Sequence, residues 1–438
     1  MKILVAGWDS GGGVEAVQTV VRRAAARGHQ VRVLGTEGLR SRFESAGADF
    51  RAYRYAPDND CRSAATDLVR EWEARTPLGV FARVRDRVMF GPAREFCRDV
   101  TEELDRESAD VVVVDTLIPS ALSGAEAAGC PSVLLMHGPY LMPRPDAPPP
   151  GTGFMPARGP LGRWRDRAAV ALMMRVFRSA IPALNQARAE LGLAPVRDLA
   201  DVINAASRVL VCTSPRYDFA ADAVPGHVRY VGPQLDDDPG DPGDPGDDAT
   251  WDDPGGRPLV LVGLSSTVMS HEQELLQRAA DALGQLPVRG LVSTGPAVNP
   301  AAIRAPANVS VHRWVRHADV LPYCSAVLTH GGHGTVMKAL AAGVPLVVAP
   351  LGRDQPDNAA RVVYAGAGLW VSKKAGVPAL RDAIARTLDQ PRYRAAARRM
   401  AATLAAERDE ALVVDELERA AREDTAMSHS VPRDPSWR

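Results

Sequence analysis

A run of glycines and histidines is the strongest indication of chemistry in the sequence. Val327-Leu328-Thr329 reads as a strand, and it is followed by His330-Gly331-Gly332-His333-Gly334-Thr335 and a helix predicted over 336–342. A glycine-rich turn that opens a helix presents free backbone N–H groups and the positive end of the helix dipole, which attract a phosphate. The Thr335 hydroxyl and the His330 imidazole are further donors. The segment therefore predicts a phosphate-binding turn.

The sequence around this turn extends the pattern. Residues 329–362, THGGHGTVMKALAAGVPLVVAPLGRDQPDNAARV, resemble the donor-sugar signature of the UDP-glycosyltransferase superfamily (glycosyltransferase family 1), in its bacterial antibiotic and macrolide branch. Residues 261–267, 293–296 and 232–235 are similar to that family too. The resemblance covers most of the chain. It implies an α/β protein with the GT-B fold, in which two Rossmann-like domains face each other across a cleft.

The resemblance also implies a hexosyltransferase that takes a sugar from a UDP- or dTDP-sugar. By position, it assigns these residues to donor binding: Ser266, Thr267, Trp314, Val315, His330, Gly332, Gly334, Thr335, Asp354 and Gln355. Trp314 would stack on the nucleobase, whose edge the Val315 backbone would bind. The turn and the facing Ser266–Thr267 loop would hold the pyrophosphate, and the Asp354–Gln355 pair would hold the sugar hydroxyls.

The leaving group in such a transfer is a diphosphate. Hydrogen-bond donors at a helix N-terminus stabilise its developing charge without a metal. We therefore expect an inverting, metal-independent enzyme with no cofactor, in which the nucleotide sugar is a co-substrate.

The first glycine loop departs from the family pattern. Many members carry there the histidine that deprotonates the acceptor, but this chain has Gly13 at that position. Asp115 matches the aspartate that usually orients the histidine, and it is the first candidate for a base that acts directly. His137, after the strand 133–136, is the second candidate, and Asp9 is the third. Each of them also fits a structural polar residue near a strand end.

A second departure lies on the helix after the phosphate turn. Many family members have a glutamate at the position of Lys338, where it binds the ribose hydroxyls. Lysine cannot accept a hydrogen bond. The ribose contact and the choice of nucleotide therefore stay open, and Lys338 is interpreted either as a phosphate-neutralising group or as a solvated helix residue.

Alternation of apolar runs and helical patterns predicts how these residues are positioned. Strands are predicted at 2–6, 31–34, 110–115, 132–136 and 209–213, and after a break at 258–263, 290–293, 309–312, 326–329 and 345–348. Strands that alternate with helices favour parallel sheets. We expect an acceptor-binding domain over 1–234, an acidic DPG linker over 235–256 and a donor-binding domain over 257–400. A helix over 401–424 is expected to pack back on the first domain, before a disordered tail over 425–438.

Composition limits the partners. The 438 residues are 46% hydrophobic and 24% charged, and 52 basic against 53 acidic residues give a net charge of -1, which argues against nucleic acid. Five separated cysteines without a CxxC pair argue against a zinc knuckle or a disulfide framework.

Residues 1–6 lead straight into a strand without a signal peptide, and the apolar stretch 168–184 is too short and charged to span a bilayer. We expect a cytoplasmic protein without stable membrane insertion. The oligomeric state is left open.

The acceptor is expected to be a small hydrophobic natural product. The stretch 151–189 mixes apolar and basic residues, and six of its side chains fit either an apolar acceptor pocket or a helix core: Trp164, Leu172, Met173, Met174, Val176 and Phe177. A lipid-linked sugar transferase would need a basic apolar membrane face, which residues 157–178 suggest.

Three other functions fit parts of the sequence. The absence of the usual histidine leaves a non-catalytic, nucleotide-sugar-binding scaffold as an alternative. Gly7, Gly11 and Gly13 have the loop spacing of an NAD(P)-dependent oxidoreductase, but no lysine has a tyrosine four residues before it. Residues 58–60 and 236–238 spell the D-x-D motif of metal-dependent sugar transferases, although such carboxylates are also common in solvated turns.

Overall fold

The computed structural model describes residues 1–74, 76–221, 224–235 and 256–430. The strands of the first sheet are β1 (Lys2–Ala6), β2 (Gln30–Gly35), β3 (Asp49–Ala52), β4 (Val111–Asp115), β5 (Ser132–Met136), β6 (Arg208–Val211) and β7 (Val228–Tyr230). The strands of the second sheet are β8 (Leu259–Gly263), β9 (Arg289–Ser293), β10 (Val309–His312), β11 (Cys324–Thr329), β12 (Leu346–Val348) and β13 (Gly368–Trp370). The paired strands are parallel in both sheets.

Helices connect the strands of each sheet. Those of the first half are α1 (Gly12–Ala26), α2 (Arg40–Ser45), α3 (Pro77–Val84), α4 (Ala93–Arg106), α5 (Leu122–Ala127), α6 (Pro160–Arg178), α7 (Ile181–Glu190) and α8 (Leu199–Asn204), and a π-helical turn, Arg85–Met89, follows α3. Those of the second half are α9 (Glu272–Leu283), α10 (His317–Val320), α11 (His333–Ala341), α12 (Gln355–Tyr364), α13 (Val377–Asp389), α14 (Pro391–Ala406) and α15 (Leu412–Ser430).

Both faces of each sheet are covered, which explains the continuous apolar strands. In β1, Leu4 belongs to one hydrophobic cluster and Ile3 and Val5 to another on the opposite face. In β8, Val260 and Leu261 likewise belong to two different clusters. Successive strand residues point to opposite faces, so a strand buried on both sides must be apolar throughout. This confirms the expected α/β class.

The strand order places the candidate residues at equivalent points of the two sheets. The order is β3-β2-β1-β4-β5-β6-β7 in the first sheet and β10-β9-β8-β11-β12-β13 in the second. The chain changes direction between β1 and β4, and again between β8 and β11. Ligands of doubly wound sheets bind at such switch points, beyond the carboxyl ends of the strands.

The C-terminal part of the chain differs from the predicted helix over 401–424. Its residues are divided between α14 and α15, and α15 continues to Ser430, into the segment predicted as a disordered tail. Val413, Val414 and Leu417 of α15 are buried in the core of the first domain. Most of the predicted linker (236–255) and the end of the tail (431–438) lie outside the described residues.

The predicted strands agree with the structure to within two residues at each end, whereas α11 begins at His333, three residues before the predicted helix. Helix α1 begins at Gly12, so Gly13 lies in its first turn. The edge strands β3, β7 and β13 were missed because they are three or four residues long and partly exposed. In the described ranges, no helix combines the length and hydropathy needed to cross a bilayer.

Candidate active site

A cavity of about 2030 Å³ lies between the carboxyl ends of the two sheets. Sites for one small molecule usually occupy about 300–1,000 Å³, so this cavity has room for two ligands. The predicted donor residues all line it: Ser266, Thr267, Trp314, Val315, His330, Gly332, Gly334, Thr335, Asp354 and Gln355. Of the three candidate bases, Asp9 and His137 line it, and Asp115 does not.

The turn after β11 is shaped by glycines. Gly331 has a φ of 95°, and a Cβ there would lie 2.7 Å from Val348 Cγ1. A Cβ on Gly332 would lie 2.7 Å from His330 Nε2. The first intrahelical bond of α11 runs from the Val336 N–H to the Gly332 carbonyl at 3.0 Å. The N–H groups that precede it point beyond the helix N-terminus, which makes the turn a suitable anion site.

His330 supplies a neutral imidazole beside this turn. The residue is only 8% exposed. Burial, together with the positive charge of Arg353, lowers the pKa of His330 to about 3. A neutral imidazole has one N–H donor and carries no charge. His330 can therefore donate one hydrogen bond at neutral pH, either to the Gly263 backbone or to a ligand, and it adds no fixed positive charge.

The loop after β8 closes the other side of the anion site. Thr267 is buried, its hydroxyl lies 3.0 Å from Ser265 Oγ, and its methyl group packs so closely on Gly11 of the first domain that a Cβ there would overlap it. Ser266 is partly exposed and lines the cavity. Between these two neighbours, Ser266 has the more accessible hydroxyl.

The two predicted sugar-binding residues are engaged to different extents. Asp354 Oδ2 accepts a hydrogen bond from Asn358 Nδ2 at 2.8 Å. The side-chain oxygen Oε1 of Gln355 accepts from the backbone N–H groups of Leu351 and Gly352, at 2.7 and 3.0 Å. Gln355 thus braces the loop, and Asp354 is the better placed of the two to meet a sugar hydroxyl.

His137 fills the space beside Gly13. A Cβ on Gly13 would lie 2.5 Å from Ser10 Oγ and 2.7 Å from both Nδ1 and Cε1 of His137. Position 13 therefore has no room for a side chain while His137 is in place. An imidazole does occupy this part of the cavity, but it comes from the loop after β5 and not from α1.

Asp115 lies behind that imidazole. The distance from Asp115 Oδ1 to His137 Nε2 is 3.6 Å, and Oδ1 also accepts from the Leu117 N–H at 2.8 Å. The Asp115 side chain is fully buried. Burial opposes protonation of His137, but the Asp115 carboxylate outweighs it, and the pKa of His137 is raised. Asp115 is thus placed to orient His137 and not to contact a ligand.

Both carboxylate oxygens of Asp9 are engaged by neighbouring residues. Its Oδ2 pairs with Arg62 Nη1 at 3.2 Å. Its Oδ1 accepts from the Gly11 N–H and from Cys61 Sγ, each at 3.3 Å. These contacts fit a structural role of Asp9 in shaping the first glycine loop.

Lys338 makes a contact that sequence reasoning missed. Its Nζ donates to Glu15 Oε2 of α1 at 2.9 Å, which joins the two domains beside the phosphate turn. A Cβ on Gly334 would be 4.0 Å from the same carboxylate oxygen. Burial raises the pKa of Glu15, but the nearby Lys338 charge outweighs it, and the net pKa is lowered. No local pattern in the sequence connects two positions so far apart.

The apolar part of the cavity lies in the first domain. Met173 and Phe177 of α6 line it, whereas Trp164 and Leu172 are exposed, which fits neither the acceptor pocket nor the helix core that the sequence left open for them. Met174 and Val176 are partly buried and do not line the cavity. Sequence reasoning missed the wall formed by α3 and the turn after it: Val80, Phe81, Val84, Val88 and Met89.

The D-x-D spelling at 58–60 has local structural roles. Asp58 Oδ1 accepts from the Glu37 N–H at 3.2 Å, and Asp60 Oδ1 accepts from the Arg62 N–H at 3.0 Å. The second spelling, 236–238, lies outside the described residues. Elsewhere in the part of the chain that the structure covers, no three His, Cys, Asp or Glu side chains are grouped to hold a metal ion.

Similar proteins point to one family. The family model described as Erythromycin biosynthesis protein CIII-like, C-terminal domain, matches residues 281–420. The 4'-demethylrebeccamycin synthase of Lentzea aerocolonigenes is 31% identical over 404 residues, which cover 91% of this chain and 94% of that protein. The calicheamicin glycosyltransferase CalG4 superposes with a TM-score of 0.72 at 23% identity, covering 98% of this chain and 99% of that one.

A third similar protein was solved with a nucleotide. The glycosyltransferase VinC, in complex with dTDP, superposes with a TM-score of 0.70 at 20% identity and covers 97% of this chain and 100% of that one. These solved structures confirm the GT-B fold. Since the identity to the curated relative extends along nearly the whole of both chains, the protein belongs to the UDP-glycosyltransferase superfamily, in its antibiotic branch, and is a glycosyltransferase.

Proposed function

We propose that this glycosyltransferase transfers a sugar from UDP- or dTDP-sugar to a hydrophobic natural-product acceptor, with inversion and without a metal. The observation that carries the proposal is one cavity with the glycine turn of α11 on one wall and His137, backed by the buried Asp115, on the other. The names of similar proteins agree with it: one is a 4'-demethylrebeccamycin synthase, and another was solved with dTDP.

The donor is proposed to lie along the second domain. Its diphosphate would accept hydrogen bonds from the N-terminus of α11, from His330 and from Ser266. Its base would stack on Trp314, which is partly exposed at the cavity wall. Fixed N–H donors aimed at the departing oxygen stabilise its growing charge without reorganisation, which supports leaving-group departure without a metal.

His137 is proposed as the base, and Asp115 as the residue that positions it. A carboxylate beside Nε2 holds the proton there, which leaves Nδ1, the atom next to Gly13 and Ser10, as the proton acceptor. The 3.6 Å separation is long for a hydrogen bond, and such contacts often tighten when a substrate binds. The Asp354 carboxylate also raises the pKa of His137, which places the base near the sugar end of the donor site.

The reaction then proceeds as a single displacement. The acceptor hydroxyl gives its proton to His137, its oxygen bonds to the anomeric carbon, and the bond from that carbon to the diphosphate oxygen breaks. The diphosphate leaves with the electron pair into the α11 anion site. The base and the leaving group are on opposite walls of the cavity, so attack from the face opposite the diphosphate inverts the anomeric centre.

The acceptor is proposed to occupy the apolar half of the cavity. Phe81, Met89, Met173 and Phe177 supply aromatic and flexible thioether surfaces, which suit a large apolar ligand of irregular shape. The non-catalytic alternative rested on the missing histidine at position 13. Because another imidazole fills that space, this argument no longer favours a scaffold.

Glu15 is proposed to bind the ribose hydroxyls of the donor in place of a carboxylate on α11. Replacing Glu15 with alanine should raise the donor KM by about tenfold or more, because a hydrogen bond to a charged group contributes about 1.5–3 kcal/mol. Steady-state kinetics with varied donor measure the effect. The exchange Glu15→Lys with Lys338→Glu returns a carboxylate to the site and should recover much of the affinity, whereas an unchanged donor KM in Glu15→Ala contradicts this assignment.

Nucleotide binding gives the direct test of the proposed donor. UDP, dTDP and their sugars should raise the melting temperature, since a ligand at about 100 times its Kd stabilises the folded state by about 2.7 kcal/mol. AMP and inorganic phosphate serve as controls, because they lack the matching base or the diphosphate. If neither the uridine nor the thymidine diphosphates raise the melting temperature, the proposed donor class is refuted.

A further inference from the structure

Helix α6 carries exposed apolar side chains on the face that is turned away from the cavity. Leu161 is 86% exposed, Trp164 is 70% exposed and Leu172 is 47% exposed. Together with the exposed Ala168 they are spaced three or four residues apart, so they form one stripe along the helix. Large apolar side chains grouped in this way usually mark a surface that binds something.

Unpaired arginines lie along the same helix and just before it. At 3.6 residues per turn, Arg167, Arg175 and Arg178 follow one edge of the stripe, and Arg158 and Arg163 lie at its N-terminal end. All five are exposed, and within the described ranges none of them has an ion-pair partner. The acidic residue of the helix, Asp166, is paired with Arg165 at 2.7 Å. The stripe and these five arginines are called the α6 face below. Its charge has one sign, although the chain as a whole is nearly neutral.

The charge of the α6 face argues against a second copy of the chain. A two-fold contact through this face would bring the same arginines against each other. Like charges opposed across an interface are unfavourable, and no acidic residue of the face is free to offset them. The occupant must instead be apolar where it meets Trp164 and negatively charged around it.

We propose that the α6 face binds the surface of a membrane that contains anionic lipids. A basic helix with an exposed tryptophan and leucines lies in the interface plane, where its apolar side chains enter the headgroup boundary and its arginines meet lipid phosphates. The opposite side of α6 contributes Met173 and Phe177 to the cavity. The membrane surface would therefore lie one helix away from the apolar half of the active site.

Vesicle co-sedimentation of the full chain tests the proposal. The protein should sediment with phosphatidylcholine vesicles that contain phosphatidylglycerol, and much less with phosphatidylcholine alone or at high salt. Arg167→Glu with Arg175→Glu should weaken the partition by about tenfold or more, and Trp164→Ser should weaken it as well. Because these side chains do not line the cavity, turnover of dissolved substrates should stay the same.

A matched variant controls for net charge. Arg386→Glu with Arg399→Glu makes the same charge change at exposed sites of the second domain, and it should bind anionic vesicles like the unchanged protein. The proposal is overturned if the unchanged protein ignores anionic vesicles, as a protein partner for this face would predict. It is also overturned if the control loses binding to the same extent, or if Trp164→Ser has no effect.

Discussion

Replacing His137 with alanine is expected to lower kcat by about 100- to 10,000-fold, the usual contribution of a positioned general base. The donor Kd should stay within about twofold, since the side chain lies outside the anion site and general-base catalysis acts on the transition state. Steady-state kinetics with saturating donor and acceptor, with the donor Kd measured separately, check both parts. A variant that keeps its kcat would place the base elsewhere.

The contact between Gly13 and His137 offers a sharper control. Gly13→His alone puts a second imidazole into occupied space and should inactivate or destabilise the protein, because a Cβ there is already within 2.7 Å of His137. His137→Gly alone should remove the base. The double change Gly13→His with His137→Gly restores one imidazole in the same part of the cavity and should recover part of the lost kcat. If kcat of the double variant is no higher than that of His137→Gly alone, an imidazole at position 13 cannot replace the one at position 137.

The pH profile follows from the same pair. The base must be neutral to accept a proton, and the pKa of His137 is raised above 6.5. We therefore expect kcat/KM to fall as the pH decreases through a value above 6.5. Asp115→Asn removes the charge that raises this pKa, so the inflection should move to lower pH while kcat decreases. A purely structural role of Asp115 would lower stability without moving the inflection.

His330→Ala is expected to reduce kcat/KM for the donor by about 100- to 1,000-fold, which corresponds to about 2.7–4 kcal/mol of lost leaving-group stabilisation. The imidazole is neutral, so the loss is that of one well-placed N–H donor and not of a charge. His330→Asn keeps a donor and should retain more activity than alanine. An unchanged kcat/KM in His330→Ala would contradict the proposal that the donor diphosphate binds at this turn.

The sequence predicted well those parts of the site that are formed by neighbouring residues. The phosphate turn is such a part: β11, Gly331 and the start of α11 follow each other directly, and each has a residue type that its conformation requires. The central strands were predicted for the same reason, because burial on both faces demands an apolar run. Here local pattern and tertiary structure agree.

The sequence could not predict contacts between distant segments. The sequence analysis ranked Asp115 above His137 as the base. Both residues follow a strand, and the sequence does not reveal that His137 lies between Asp115 and the cavity. That His137 fills the space at Gly13 depends on the packing of α1 against the loop after β5. Lys338 was interpreted as a phosphate-neutralising or solvated residue for the same reason, since Glu15, which it contacts, lies in the other domain.

Helical periodicity also left an ambiguity on α6. Trp164, Leu172, Met173 and Phe177 are all apolar, and their spacing does not reveal which side of the helix meets the cavity. The structure turns Met173 and Phe177 inward and the other two outward. Surface apolar residues on a basic helix cannot be told from core residues until the neighbouring elements are placed.

The return of the chain to its starting domain limits how the enzyme can move. The backbone leaves the first sheet after β7 and comes back between α14 and α15, and Val413 and Leu417 of α15 anchor it in the first domain. The two domains are thus joined by two covalent connections. These restrict sliding and twisting of one domain against the other more than a single linker would. Opening to release products should therefore be a limited rotation of one domain against the other, restrained by the return connection between α14 and α15.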